Sequence, residues 1–71
     1  MNDRTKLYEL RKRKKLSVRD LSQRTGVSPK VIRAMERGDQ SVDIKSVLIL
    51  ARRFKISTEA LMSICEGGER G

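Results

Sequence analysis

The helical pattern of this chain is clearest in residues 17–38, which read Ser17-Val-Arg-Asp-Leu-Ser-Gln-Arg-Thr-Gly-Val-Ser-Pro-Lys-Val-Ile-Arg-Ala-Met-Glu-Arg-Gly38. Ser17 is a typical N-cap residue, and Asp20 three positions later completes a capping box with aspartate in place of glutamate. Ser28 followed by Pro29 is a second start signal, because proline has no N–H to leave unpaired at the first helical position. Gly26 suits the left-handed residue that ends a helix. The stretch therefore predicts two short helices joined by a tight turn, at 18–25 and 29–37.

The second of these helices separates an apolar face from a basic face. With about 100° of rotation per residue, Val31, Ile32 and Met35 fall on one side. The opposite side carries Lys30, Arg33, Ala34 and Arg37. An apolar stripe of this kind packs on the protein, so we expect the basic stripe to face outward.

Together the two helices have the features of a helix-turn-helix. This motif needs a small residue at the turn, which is Gly26. It also needs apolar residues where the helices cross, and Leu21, Val27 and Ile32 supply them. The second helix of such a motif enters the major groove of DNA and needs a polar outer face, which the basic stripe provides.

Three further helices are predicted around the motif. They cover residues 3–15 with Asp3 as a cap, 44–53 with Asp43 as a cap, and 58–65 with Ser57 as a cap. The apolar residues expected to pack inward are Leu7, Leu10 and Tyr8 in the first helix, Ile44, Val47, Leu48, Ala51 and Phe54 in the fourth with Leu50 on its flank, and Leu61, Met62 and Cys65 in the fifth. The prediction is an all-α, compact five-helix domain over residues 1–66 with a flexible C-terminal tail at 67–71.

The charge of the chain is concentrated in its first half. Lys and Arg number 17 and acidic residues 9, which gives a net charge of +8. Residues 1–37 hold 12 bases and 4 acids, whereas residues 38–71 hold 5 of each. Solubility alone does not require this asymmetry, which is expected of a face that binds a polyanion. Membrane surfaces are also anionic, but the basic half lacks the Trp and Phe of an interfacial helix.

The composition also excludes several classes of protein. With no histidine and one cysteine, the chain has no plausible residues for a zinc site, an internal disulfide or nucleophilic catalysis. We therefore expect no enzyme, no cofactor and no metal. The longest apolar run, residues 47–51, is too short to cross a bilayer, and the N-terminus lacks a signal peptide. A cytoplasmic protein without a membrane partner is expected.

From Leu7 to Met62 the chain resembles the Xre family, the Cro/CI-type helix-turn-helix domains of phage repressors and small bacterial regulators. The similarity lies in residues 16–38, in Val42-Asp-Ile-Lys-Ser-Val-Leu-Ile-Leu-Ala51 and in Ile56-Ser-Thr-Glu-Ala-Leu61, and covers about four-fifths of the chain. It implies a lambda-repressor-like domain whose third helix reads double-stranded DNA. Lys55 stands where the family often has a helix-ending glycine, which predicts a turn of different construction there.

The resemblance also implies roles for individual residues. Those expected to meet base edges are Ser28, Pro29, Lys30, Arg33 and Ala34, of which Lys30 and Arg33 suit guanine O6 and N7. Those expected near phosphates are Val18, Arg19, Arg37, Gln40, Ser41 and Ile44, in part through the backbone N–H groups that open helices. A structural ion pair of Arg11 with Glu36 is implied. The basic run at 11–15 is open to two interpretations, a solvated helix end and a phosphate contact.

The leading hypothesis is a sequence-specific transcriptional regulator of the repressor type, bound as a homodimer to a palindromic operator. Candidate dimer contacts are Ile49, Met62 and Ile64, with ordinary packing as the alternative for each. The second hypothesis is a helix-turn-helix module that binds protein, such as an antirepressor or adaptor, and a regulatory protein partner is compatible with both. A module that binds structured RNA is a third alternative, disfavoured because the aromatic platforms of single-strand readout are missing.

Overall fold

A computed structural model describes residues 4–65 of the chain. Its helices are α1 (Lys6–Arg13), α2 (Val18–Thr25), α3 (Pro29–Glu36), α4 (Ile44–Phe54) and α5 (Thr58–Leu61), and two short strands, β1 (Arg4–Thr5) and β2 (Ile64–Cys65), pair antiparallel. The predicted five-helix, all-α fold is confirmed, and the small strand pair is an addition to it. Within the described residues, no helix has the length and apolar character needed to span a bilayer.

Serine caps begin three of the helices, as the sequence predicts. The Ser17 hydroxyl accepts the Asp20 N–H at 3.0 Å, and the Asp20 carboxylate accepts the Ser17 N–H at 3.2 Å, so the capping box is complete. Ser28 and Ser57 each accept the N–H three residues further on, at 3.3 and 3.1 Å. Asp43 occupies the N-cap position of α4, but its side chain makes no capping hydrogen bond. The first turn of α4 is therefore without a side-chain cap.

The beginning of α1 differs from the prediction. The predicted cap, Asp3, lies outside the described residues, and Thr5 stands at the N-cap position instead. The Thr5 side chain is fully buried and makes no capping bond, and its hydroxyl donates to the Met35 carbonyl at 3.0 Å. This hydrogen bond joins the start of α1 to the last turn of α3.

The end of α5 is also different. The helix was expected to reach Cys65, but it ends at Leu61, and Ile64 and Cys65 pair with Thr5 and Arg4. The Lys6 N–H donates to the Ser63 carbonyl at 2.9 Å next to this pair. A longer α5 would leave the backbone groups of β1 without these partners, which is unfavourable for a segment as buried as Thr5.

Residues with a left-handed backbone conformation follow the ends of several helices. Gly26 has φ +82°, as predicted for the turn of the motif. Lys55 was expected to give a turn of different construction, and this prediction is wrong. Lys55 itself adopts φ +58°, and the Ile56 N–H donates to the Ala51 carbonyl at 3.0 Å, so a lysine occupies the conformation in which glycine is usual. Lys15 does the same at φ +57°.

The core is made of aliphatic side chains from all five helices and the turn of the motif. Its buried apolar residues are Leu7, Leu21, Val27, Ile32, Met35, Val47, Leu50, Ala51 and Leu61. Two residues predicted to face inward, Ile44 and Leu48, are instead 61% and 46% exposed, whereas Leu50, placed on the flank, is fully buried. Viewed along the helix axis, the buried face of α4 is centred between Val47 and Leu50. Leu48 points about 100° away from Val47, so it lies at the edge of the buried face and is exposed.

The packing of the helices leaves one side of α3 uncovered. α3 packs against α2 and α1, while α4 packs against α5 and against α2. The α2–α3 crossing buries Leu21, Val27 and Ile32, the three residues predicted for it. The face of α3 opposite this crossing therefore points to solvent.

Candidate nucleic-acid interface

The outer face of α3 carries three exposed cations. Lys30, Arg33 and Arg37 are all exposed, and none of them forms an ion pair within residues 4–65. Ala34 lies between them and is half-buried. We call Lys30, Arg33, Ala34 and Arg37 the α3 outer face. It is a positively charged surface without a close ion pair in the described part of the chain, and Asp39 is an acidic group whose charge interacts with that of Arg37.

Two further residues expected at base edges begin the same helix. Ser28 and Pro29 are both exposed. The Ser28 hydroxyl accepts the Val31 N–H and its carbonyl accepts the Ile32 N–H at 3.0 Å, so its polar groups hold the first turn of α3. Its hydroxyl proton is still able to donate to a ligand oxygen, because the capping bond uses only an acceptor lone pair.

The opposite face of α3 is fixed to the domain. Ile32, Met35 and Glu36 are buried, and Met35 also receives the Thr5 hydrogen bond. A helix held from one side in this way presents the side chains of its other side in a defined register. The α3 outer face is thus rigidly supported.

An ion pair between α1 and α3 contributes to that support. Arg11 Nε donates to Glu36 Oε2 at 2.6 Å, and Arg11 Nη2 donates to Glu36 Oε1 at 3.1 Å. Arg11 Nη1 donates to the Leu16 carbonyl at 2.8 Å, so every nitrogen of the guanidinium has a protein partner. The Tyr8 ring lies 5.5 Å from the same guanidinium carbon. Both charged residues are buried, which makes this pair a fixed link between the two helices.

The first turn of α2 is one of the two helix openings expected near phosphates. Arg19 is exposed, while Val18 is half-buried and packs against the core, so only its N–H is available to an anion. The Asp20 carboxylate occupies the same helix end. Hydrogen bonds from the Ser17 N–H and hydroxyl lower the pKa of Asp20 below its ordinary value of 3.8, so this carboxylate is charged at neutral pH. Its negative charge reduces the attraction of this helix end for phosphate.

The first turn of α4 has a different electrostatic character. It contains no acidic residue, and Asp43 does not cap it. Ile44 is exposed and Lys45 follows it, also exposed. Asp43 at the N-cap position still places a carboxyl group beside this helix end, so both openings have an acidic residue next to them.

The loop from α3 to α4 holds the other expected phosphate ligands. Gln40 and Ser41 are exposed, and Gln40 Nε2 donates to the Gly38 carbonyl at 3.3 Å. The Ser41 N–H and hydroxyl donate to Asp39 Oδ1 at 2.9 and 2.6 Å. These bonds lower the pKa of Asp39 below its ordinary value of 3.8. Asp39 thus shapes the loop, a role that the Asp-x-Ser spacing of 39–41 could have indicated.

The residues expected at a dimer contact do not form one surface. Ile49 and Ile64 are 43% and 47% exposed, whereas Met62 is half-buried. Met62 borders a cleft with Val42, Val47 and Thr58, among others, and Ile49 lies in a separate groove with Leu48. Cys65, near Ile64, is paired through its backbone in β2.

The basic run at 11–15 divides in two. Arg11 is buried in its ion pair, while the four residues after it are exposed at the end of α1. Lys12 lies over the Tyr8 ring with its Nζ 5.8 Å from the ring centre.

The described residues contain no group of three His, Cys, Asp or Glu side chains able to hold a metal ion.

The sequence matches a known protein family. A family model described as Helix-turn-helix matches residues 7–61, well over half of the chain. Comparisons with curated proteins and with solved structures give no match.

Proposed function

Because the chain belongs to the helix-turn-helix family of the Xre type, a family of DNA-binding regulators, we propose that it binds a specific double-stranded DNA sequence and represses transcription there. The observation that carries this proposal is the α3 outer face, a set of unpaired cations on a helix whose opposite side is fixed to the core. Repression would follow from occupancy, since the protein would cover the operator. Such a regulator would work in the cytoplasm.

Base recognition is assigned to the middle of α3. Lys30 and Arg33 are the proposed base readers, because a cation can donate to guanine O6 and N7, and Arg33 can do so with two hydrogen bonds. One good pair of this kind gives about 1–3 kcal/mol of discrimination against a wrong base. Ser28, Pro29 and Ala34 have no long polar side chain, so they would shape the fit to the groove.

Phosphate binding is assigned to the two ends of this surface. Arg37 and Gln40 would bind the backbone on one side of the groove, and Ser41 would join them by exchanging one of its two hydrogen bonds to Asp39 for a bond to a phosphate oxygen. The N–H groups opening α4 at Ile44 would also donate to a phosphate. On the other side, Val18 and Arg19 would contribute one N–H and one cation. Each neutralised phosphate makes the binding constant fall with salt, with a log–log slope of about −0.9.

A homodimer on a palindromic operator is proposed on grounds of size. One small module covers about 600–1,000 Å² of its own surface on DNA, which limits its specificity. Two copies on half-sites about one helical turn apart double the contact. Of the candidate contacts Ile49, Met62 and Ile64, the last two follow directly after α5, and we assign the dimer contact to them; Ile49 lies in a separate groove on α4.

The test is a selection of duplexes from a random pool at near-physiological salt, followed by sequencing. Enrichment of an inverted repeat supports a dimeric, specific regulator, and enrichment of a single half-site supports specific binding without an intrinsic dimer. The variant with Lys30→Ala and Arg33→Ala should lose the preference while its helical circular dichroism is unchanged. The matched control is Arg52→Ala with Arg53→Ala, which removes two exposed cations from α4. No enrichment for the unaltered protein would refute the proposal.

A further inference from the structure

α4 exposes two large apolar side chains between two cations. Leu48 and Ile49 are 46% and 43% exposed, and they line one shallow groove together with Lys45 and Arg52. We call these four residues the α4 stripe. Scattered apolar residues on a surface are common, but adjacent ones that share a groove are typical of an interaction site.

The stripe is separate from the surface assigned to DNA. α4 packs on α5 and α2, whereas the α3 outer face lies on a helix that packs on α2 and α1. The two surfaces adjoin at the first turn of α4, where Lys45 follows Ile44, and the other three residues of the stripe lie beyond that turn and are not proposed phosphate contacts. Moreover, a polyanion would be attracted by cations alone and would gain little from two aliphatic side chains.

From this arrangement we propose that the α4 stripe is the docking site for an acidic amphipathic helix of a second, different protein. The apolar face of that helix would cover Leu48 and Ile49. Its carboxylates would meet Lys45 and Arg52, which lie about 10 Å apart along the α4 axis. The ligand is therefore a short helix with two or three adjacent aliphatic residues and an acidic residue on each side of them.

Charge excludes a second copy of this chain as the natural occupant. Two stripes could pair antiparallel about a two-fold axis, with Leu48 of each copy against Ile49 of the other. Lys45 of each copy would then lie against Arg52 of the other, which makes two contacts between like charges. If they paired parallel, each cation would meet its own equivalent. Both symmetric arrangements bring like charges together next to a desolvated apolar contact, which is unfavourable. A partner with acidic flanks avoids this repulsion and satisfies both cations.

The probe is a synthetic amphipathic peptide of about four helical turns, with leucines on one face and glutamates flanking them. A second peptide with lysines in place of the glutamates tests the charge requirement. Each is added to the ¹⁵N-labelled full chain, and amide chemical shifts are followed by NMR. The glutamate peptide should move the amide signals of the α4 stripe, and the lysine peptide should leave them unmoved.

Two variants on the same helix form a matched pair. Arg52→Glu and Arg53→Glu change the net charge equally and stand at the same helix end, but Arg53 borders a different cleft, beside Phe54. Arg52→Glu should weaken binding of the glutamate peptide about threefold to tenfold, the effect of replacing one attraction by a repulsion. Arg53→Glu should change it less than twofold. Leu48→Gln should also weaken binding, with unchanged affinity for DNA.

Several results would overturn the proposal. They are the absence of binding, equal binding of the lysine peptide, shifts spread over the α3 outer face, or equal weakening by the two arginine variants. Sedimentation of the protein alone provides the last check. If the unaltered chain self-associates and Leu48→Gln abolishes that association, the occupant is a second copy and the proposal is wrong. Neither the peptide titration nor the sedimentation measurement uses DNA, so a failure of this proposal can be distinguished from a failure of the operator selection.

Discussion

Removing the negative charge of Glu36 should destabilise the domain severely. Breaking a buried ion pair by removing one partner costs about 3–5 kcal/mol, because the other charge stays buried without compensation. We expect Glu36→Gln to lose about 3 kcal/mol, since the amide oxygen of glutamine still accepts one bond from Arg11. A domain of 71 residues has a total stability of about 4–11 kcal/mol. The substitution would therefore remove between a quarter and three quarters of it.

The double variant Arg11→Met with Glu36→Leu is the control for this prediction. It removes both charges and fills the same volume with apolar groups, a replacement that is often neutral or stabilising. The Leu16 carbonyl loses its partner in this variant, which costs about 1 kcal/mol. The double variant should thus be more stable than Glu36→Gln by about 2 kcal/mol.

The assay is urea unfolding followed by far-ultraviolet circular dichroism. A lower midpoint with an unchanged m-value reports lost stability rather than a changed native state. The reasoning is refuted if Glu36→Gln loses less than about 1 kcal/mol, since the buried arginine would then tolerate the loss of its counter-charge. It is also refuted if the double variant is as unstable as the single one. Retention of DNA binding by the double variant would show that the pair acts only on structure.

Three other predictions concern turns and caps. Lys55→Gly should stabilise the domain by about 1 kcal/mol in the same assay, because the exposed lysine adopts a left-handed conformation that glycine adopts without strain. A loss of stability would show that the lysine side chain stabilises the domain by more than the strain of its left-handed backbone destabilises it. Gly26→Ala should destabilise by about 1–2 kcal/mol through its positive φ alone, since no atom lies within 4 Å of the added methyl; an unchanged midpoint would contradict this. By NMR, the pKa of Asp20 should lie below 3.8, chiefly because the Ser17 N–H binds its charged form. Its contribution to stability should be complete above pH 3.8 and lost as the pH falls through the lower, folded-state pKa. Asp20→Asn should remove this part of the pH dependence of stability and leave the part due to Asp39, whose pKa is also lowered.

The local signals of the sequence were sufficient for α2 and α3. Ser17, Asp20, Gly26 and the Ser28-Pro29 pair each act through hydrogen bonds or backbone angles within a few residues, so their effects are readable without a fold. The same is true of the division of α3 into a buried and an exposed side.

The deviations arise from contacts between distant parts of the chain. The sequence around Thr5 does not show that its hydroxyl binds Met35, nor that residues 64–65 return to pair with the first strand. The face that α4 buries depends on the rotation of this helix about its own axis as it packs on α2 and α5. That rotation buries Leu50 and exposes Leu48. At the candidate site, the sequence does not show how Asp20 and Asp39 affect phosphate binding, because that depends on which helix end or loop each carboxylate lies beside.

The pairing of β1 with β2 has a consequence for how the protein is made. Arg4 and Thr5 are synthesised about sixty residues before their partners, Ile64 and Cys65. At about 5–20 residues per second, that interval lasts about 3–12 s. Small helical domains complete folding in microseconds to milliseconds once their sequence is available. The nascent domain therefore spends seconds with its first strand unpaired, and the time at which it becomes complete is set by translation rather than by folding.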